Sequence, residues 1–213
     1  MTTDDGPLDR TLFDRLERLS TPAVADTKHD GVSVLTPAIE SVHADCTVTG
    51  AVRTVKLDPS ALWAPVQTLD EARSGEVIVV DTGGCTDEAI WGELLSTYAT
   101  AIGVVGMVTN GAVRDIAGIR DLGFPAFART RTPRGPSGSE EVETNVQVIM
   151  GEALIDPGDV LVGDESGVVV IDRDTVDEVI TAAEAVAETE RAVERQIEEG
   201  GSLGDAFESA GMG

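Results

Sequence analysis

The chain has 213 residues, 39 acidic against 15 basic, and a formal net charge of −24. That length suffices for one substantial core, or for one core with an added arm. The charge excludes the basic footprint that non-specific nucleic-acid binding needs, and no apolar run approaches the roughly eighteen residues that cross a bilayer.

The N-terminus, Met1-Thr2-Thr3-Asp4-Asp5, lacks the basic and apolar regions of a signal peptide, so a cytoplasmic protein is expected. Cys46 and Cys85 fall in different elements without metal-ligand spacing and read as buried free thiols. Lys28 and Lys56 are the only lysines; every other cation is arginine. A regularly patterned chain this rich in Asp and Glu reads as adapted to high internal salt, which screens the self-repulsion.

Leu8, Leu12, Leu16 and Leu19 recur at helical spacing and predict a helix over 8–19. Ser20-Thr21-Pro22 caps a second short helix through Asp26, and Asp30-Gly31 is a turn. Cys46 to Leu57 reads as a strand pair bent at Gly50. Residues 61–72 read as helix, and Val77-Ile78-Val79-Val80 as a central strand followed by Asp81-Thr82-Gly83-Gly84. Leu94, Leu95, Tyr98, Ala99 and Ile102 share one helix face; that helix opens at Gly92 and ends at Gly103. Val104 to Val108 is short, apolar and β-branched, a buried strand. Helix followed by buried strand indicates a parallel α/β layer, in which ligands sit at the carboxyl ends of strands. The polar cluster Asn110-Gly111-Ala112-Val113-Arg114-Asp115 lies at that end.

Ile116 to Leu122 reads as a short helix closed by Gly123, and Pro125 to Ala128 as a strand. Residues 129–138 form a Pro- and Gly-rich loop carrying Arg129, Arg131 and Arg134. Two readings stay open for it: a solvated loop whose arginines pair with surface carboxylates, or a mobile rim that meets an anionic substrate or a neighbouring subunit. Short β segments follow at 142–149, 153–155, 160–162 and 168–171, joined by the acidic turns 156–159 and 164–167, which lack EF-hand spacing. Asp174 is expected to cap a long helix with a buried stripe from Val176 to Ile197, ended by Gly200-Gly201. Residues 202–213 read as a tail. No internal repeat or second domain boundary is visible, so 1–213 is expected to be one domain with its core at about 21–200.

The chemistry narrows by exclusion. There is no G-x-S-x-G elbow, no P-loop and no strand-borne G-x-G-x-x-G. His29 and His43 do not sit at zinc spacing, and neither lysine is placed as a Schiff-base nucleophile. Carboxylates, an arginine and a helix N-terminus remain. These suit a hard cation and a small carboxylate ligand, since Mg²⁺ keeps most of its waters and needs only one or two protein carboxylates. Asp115 is the candidate metal ligand, with Glu93 holding a metal-bound water, and Arg114 the candidate fork for a carboxylate or 2-oxo group. A local ion pair between Arg114 and Asp115 near a helix start is the competing structural explanation.

Gly92-Glu93-Leu94-Leu95, with twenty residues between Glu93 and the pair Arg114-Asp115, resembles the RraA-like family. That family includes the class II 4-hydroxy-4-methyl-2-oxoglutarate aldolases and the regulators of RNase E activity. The likeness runs from about Thr21 to Gly200 and includes Thr21-Pro22-Ala23-Val24-Ala25-Asp26, Asn110 to Asp115, Thr132-Pro133-Arg134-Gly135-Pro136 and Pro157-Gly158-Asp159-Val160. It implies an α/β fold, a swivelling β/β/α domain with a central sheet flanked by helices and a long C-terminal helix, assembled as a homotrimer or dimer of trimers. It implies a small 2-oxo acid substrate and Mg²⁺ or Mn²⁺ bound by Asp115. Arg114 would contact the substrate oxygen, Glu93 would act through metal-bound water, and the backbone of Gly92, Glu93, Leu94 and Leu95 would take the pyruvate carboxylate. A glutamate from a neighbouring subunit's last helix would complete the site, with Glu190 its nearest match. Two positions depart from the pattern: Glu93 stands where aspartate is usual, and Asn110 where aspartate is common. The implied activity is metal-dependent cleavage of 4-hydroxy-2-oxo acids to pyruvate, with oxaloacetate decarboxylation by the same chemistry. The alternative implied by the same family is a non-catalytic regulator that binds a ribonuclease.

Overall fold

The apolar run Val77 to Val80 becomes the middle of the sheet, because a strand covered on both faces needs apolar side chains in both directions. The computed structural model describes residues 9–60, 63–138 and 142–211. Its strands are β1 (Val32–Val34), β2 (Glu40–Ser41), β3 (Val48–Leu57), β4 (Glu76–Asp81), β5 (Ala89–Trp91), β6 (Gly106–Val113), β7 (Ala126–Arg131), β8 (Val142–Thr144), β9 (Val148–Met150), β10 (Ala153–Ile155), β11 (Val160–Asp164) and β12 (Gly167–Ile171). Its helices are α1 (Arg10–Leu16), α2 (Thr21–Ala25), α3 (Val66–Glu71), α4 (Glu93–Ile102), α5 (Ile116–Asp121), α6 (Val176–Glu198) and α7 (Leu203–Ser209).

One sheet runs β1-β12-β11-β3-β4-β6-β7-β2, with β5 added beside β6 and β8 beside β3, while β9 and β10 form a separate hairpin. The pairs β3–β4, β4–β6, β6–β7 and β5–β6 are parallel. Parallel neighbours need a crossover, and α3, α4 and α5 supply it between successive strands. Alternate residues of β4 enter different cores. Ile78 and Val80 pack with Trp91, Ala99, Met107 and Ile119. Val77 and Val79 pack on the opposite face with Val108, Phe127 and Leu161. A third cluster joins Leu16, Val24, Val169, Ile171, Val179 and Ile180, seating α1, α2 and α6 at the β11–β12 end of the sheet. The arrangement is the α/β architecture with central sheet and long last helix that the sequence implies.

Several local expectations are corrected. Residues 48–57 form one continuous strand, not a bent pair. Gly50 is there for close approach, since a Cβ would lie 2.7 Å from the Gly75 carbonyl oxygen. The helix expected over 61–72 begins only at Val66, because Pro65 holds its entrance and biases the residue before it away from helix; residues 61 and 62 lie outside the described set. The first helix covers Arg10–Leu16 rather than 8–19, and Leu8 is also outside that set. The strand expected at Val104 begins at Gly106 and runs to Val113, so Asn110 to Val113 lie inside it, every residue buried. Asp174 does not cap α6: residues Arg173–Thr175 form a 3₁₀ turn, and the helix starts at Val176. Its stripe fades before Ile197, which is 43% exposed. Part of the expected tail is helix α7, capped by the Ser202 hydroxyl and fixed by buried Ala206. Cys46 is buried as expected, but Cys85 is only half-buried.

Candidate active site

Two segments distant in sequence meet where β6 ends. Strand β5 pairs with the last residues of β6, Trp91 beside Val113, and the Arg114 N–H donates to the Trp91 carbonyl at 2.9 Å. Trp91 is anchored in turn. Its indole N–H donates to Ser96 Oγ at 2.9 Å, that hydroxyl donates to the Gly92 carbonyl at 3.1 Å, and the ring stacks on Phe124. These contacts fix the entrance of α4 against the residues that follow β6. Gly92 caps α4 without a side-chain acceptor, so the first amide hydrogens of the helix are free to meet an anion. The helix face is narrower than its sequence period suggests, with Ser96 and Ala99 buried but Leu94 81% and Tyr98 44% exposed.

Three glycines make room for the three charged side chains. A Cβ at Gly92 would lie 2.6 Å from Asp115 Oδ2 and 3.1 Å from Arg114 Cγ. A Cβ at Gly135 would lie 2.7 Å from an Arg114 guanidinium nitrogen. A Cβ at Gly118, on α5, would overlap the Glu93 carboxyl group. Arg114 Nε is 3.6 Å from Asp115 Oδ2, and both side chains are roughly half exposed. The competing ion-pair explanation is thus present in the geometry, but the pair faces open space instead of closing a surface. An open cleft of about 310 Å³ is lined by Val113 to Ile116 on one side and Arg131 to Pro133 on the other. Asp115 holds a left-handed backbone, φ 56°, which a short polar side chain tolerates better than most. Such outliers persist where the surroundings over-determine them, often at functional sites.

Asn110 lies beneath this site and is not free to act in it. Its amide nitrogen donates to Asp81 Oδ1 at 2.6 Å, and its oxygen accepts from the Thr82 N–H at 2.8 Å and the Thr82 hydroxyl at 3.0 Å. A carboxylate here would confront Asp81, whereas the amide satisfies both neighbours. The segment after β7 is tied down, contrary to a mobile rim. Thr132 N–H donates to the Val113 carbonyl, Ala89 N–H to the Arg134 carbonyl, and Ser137 binds Glu88 through hydroxyl and N–H at 2.6 and 2.9 Å. The Ser137 hydroxyl, with its N–H, holds the Glu88 carboxyl below the usual range. Arg129 and Arg131 stand on β7 itself, not in a loop, and neither has an ion-pair partner among the described residues.

Of the residues expected at the site, Gly92 packs against Arg114 and Asp115, Glu93 lies against Gly118 of α5, and Leu95 packs against the core. The Leu94 side chain is exposed to solvent. Glu190 lies on α6, which packs on α1, α2 and α7, so a single chain does not bring it to this cleft. Trp91, Gly118 and Gly135 were missed. The signal for Trp91 was the apolar pair Ile90-Trp91 before Gly92; Gly135 lay in the Thr132 to Pro136 motif with no role attached to it, and Gly118 gave no signal. Among the described residues no cluster of three or more His, Cys, Asp or Glu is placed to hold a metal. One carboxylate beside an open cleft, with Glu93 close by, fits a hard, largely hydrated cation such as Mg²⁺, which demands few protein ligands.

Over residues 21–170 the sequence matches the RraA-like family (Aldolase/RraA), and the chain belongs to that family. It is 34% identical over 168 residues, 79% of this chain and 80% of the relative, to a Halalkalibacterium halodurans protein named "Putative 4-hydroxy-4-methyl-2-oxoglutarate aldolase". The fold superposes on the crystal structure of an uncharacterized protein from Pseudomonas syringae pv. tomato with a TM-score of 0.85 and 30% identity, over 94% of this chain and 98% of that one. It also superposes on Streptomyces coelicolor RraAS2, described as an unusual member of the RNase ES inhibitor RraA protein family, with a TM-score of 0.78 and 27% identity, over 90% of this chain and all of that one.

Proposed function

We propose that this chain is a divalent-metal-dependent lyase that cleaves 4-hydroxy-2-oxo acids to pyruvate, and that the same site decarboxylates oxaloacetate. The observation that carries this reading is that Arg114 and Asp115 line one open cleft and pack against Gly92, the residue that opens α4. The relative named for the aldolase supports it.

The first-turn amides at Gly92 to Leu95 bind and orient the carboxylate of the 2-oxo acid. Arg114 directs its planar fork at the 2-oxo oxygen and stabilises the negative charge that collects there as the C3–C4 bond breaks. Asp115 would hold Mg²⁺ or Mn²⁺, which when bound supplies Lewis-acid polarisation of the same oxygen. Glu93 positions water that carries the proton released by the C4 hydroxyl and returned to C3. The subunit assembly that goes with this reading is a homotrimer or dimer of trimers. The exposed Leu94 beside Glu93 supports a subunit boundary near the cleft, across which a partner's last helix could supply the matching glutamate.

In a pyruvate-release assay at matched salt, Arg114→Ala and Asp115→Ala are each expected to lower turnover by about 100- to 1,000-fold. Unchanged turnover in both variants would end the lyase reading. The likeness to RraAS2 favours one rival, a non-catalytic regulator that binds a ribonuclease. A stable ribonuclease complex in pull-down, without metal-dependent lyase activity, would put that rival first.

A further inference from the structure

The segment after β7 meets the charged pair through one residue. The Arg114 guanidinium lies against Gly135, where a Cβ would sit 2.7 Å from one of its nitrogens and 3.5 Å from its central carbon. Residues 132–138 belong to no helix or strand, so single hydrogen bonds decide where Gly135 lies. Before Gly135, the Thr132 N–H donates to the Val113 carbonyl at 3.1 Å and the Ala89 N–H to the Arg134 carbonyl at 2.8 Å. Beyond it, only Pro136 intervenes before Ser137, and its ring fixes φ and leaves little slack. Ser137 is held by both oxygens of Glu88: its hydroxyl donates to Oε1 at 2.6 Å and its N–H to Oε2 at 2.9 Å. The hydroxyl bond, then the N–H bond, hold the Glu88 carboxyl below its usual range, with the Arg134 charge acting in the same direction. Bonds to an ionised carboxylate are about twice as strong as neutral ones. Glu88 directly precedes the buried strand β5, whose Trp91 carbonyl accepts the Arg114 N–H at 2.9 Å. The Arg114 backbone and the residue its guanidinium rests on are thus tied to the same strand.

We infer that Glu88 and Ser137 form a clasp that positions the Arg114 guanidinium at the cleft. Neither residue lines the cleft; both are positioning residues that act through Gly135. The kinetic consequence rests on the lyase reading, whereas the restraint on Arg114 does not. A guanidinium that stabilises charge as a bond breaks must be in place before that moment, and a residue that only places it changes kcat more than KM. Losing the clasp frees the far end of the 132–138 segment while the Thr132 and Arg134 bonds still hold the near end. The effect is a loosened Arg114 in a folded chain.

The test joins two readouts on the full chain. One is steady-state pyruvate release from 4-hydroxy-4-methyl-2-oxoglutarate and from oxaloacetate with Mg²⁺. The other is labelling of arginines by phenylglyoxal without substrate, read peptide by peptide in a mass spectrometer, with exposed Arg18 as the internal reference. Glu88→Ala is expected to lower kcat about 10-fold with KM little changed, and to raise the labelling of Arg114 relative to Arg18. Ser137→Ala keeps the N–H bond and is expected to fall between the native chain and Glu88→Ala. Glu88→Gln keeps an acceptor for the Ser137 N–H and a group that can bond the hydroxyl, and is expected to recover most of both readouts. In an Arg114→Lys background, which lacks the planar fork, Glu88→Ala is expected to cost at most about 2-fold. A kcat loss of the same size in both backgrounds marks a general disturbance and overturns the inference. So do a change confined to KM, an unchanged kcat in an active chain, and Arg114 labelling that Glu88→Ala leaves as it was. If no substrate yields pyruvate but Arg114 labelling rises in Glu88→Ala, the lyase reading fails and the clasp stands.

Discussion

At Gly118 a methyl group would collide with the Glu93 carboxyl group. The position lies in the short helix α5, where alanine is favoured over glycine by about 1 kcal/mol. The obstacle is the far end of an exposed, flexible side chain, so the fold accommodates the change by swinging Glu93 aside. Gly118→Ala is therefore expected to raise or preserve the melting temperature while lowering kcat, by about 100-fold if the displacement reaches 1 Å. Paired thermal melts and turnover measurements check this. A variant that loses stability, or keeps full activity, contradicts the role given to Glu93. The residue scale also marks a limit of the sequence. Glu93, Arg114 and Asp115 were legible because the twenty-residue spacing matched a known pattern. The spatial role of the glycines that admit them was not, even for Gly92, which was legible only as the opening of α4, because a missing Cβ matters only when the opposing side chain is known.

The turn between β10 and β11 carries a titratable hinge with α6. Asp159 is buried, accepts the Asp156 N–H at 2.8 Å and the Arg173 N–H at 3.2 Å, and joins the turn to the start of the last helix. Burial pushes its carboxyl up to about 6 from an ordinary 3.8, the two N–H donors acting in the opposite direction, while nearby Asp172 and Asp156 raise it further. Because the folded value is the higher one, the folded chain holds this proton more tightly than the unfolded chain. Stability from this group is full below pH ~4 and falls as pH rises through about 6, by roughly 3 kcal/mol for a shift of this size. Urea midpoints for the native chain and Asp159→Asn between pH 4 and 7 should show the native chain losing ground to the variant as pH rises. A constant difference would remove the assigned cause. Elements with a strong period were legible: β4, α4, α5 and most of α6. Strands β1, β2 and β5 were not, since two or three residues carry no period and their pairing is decided by distant partners. Helix α7 was hidden for a similar reason, its anchoring resting on the single small residue Ala206.

Over the whole molecule, 39 acids against 15 bases leave a surface that repels itself and repels an anionic substrate. Salt at molar concentration shrinks the screening length to about 3 Å, which relieves both effects at long range while leaving contacts inside the cleft largely intact. The parallel core and its layering were readable from apolar runs and glycine punctuation. The two long-range joins that make the site, β5 onto β6 and the residues after β7 onto Val113, were not, because hydrogen bonds between distant backbones leave no local pattern. The central claim is that these joins create a metal-assisted 2-oxo acid site. It is met most directly by measuring pyruvate release from a panel of 4-hydroxy-2-oxo acids in molar KCl, with Mg²⁺ and with excess chelator. The account predicts release that chelator abolishes and Mg²⁺ or Mn²⁺ restores; no release from any member, or release indifferent to chelator, would contradict it.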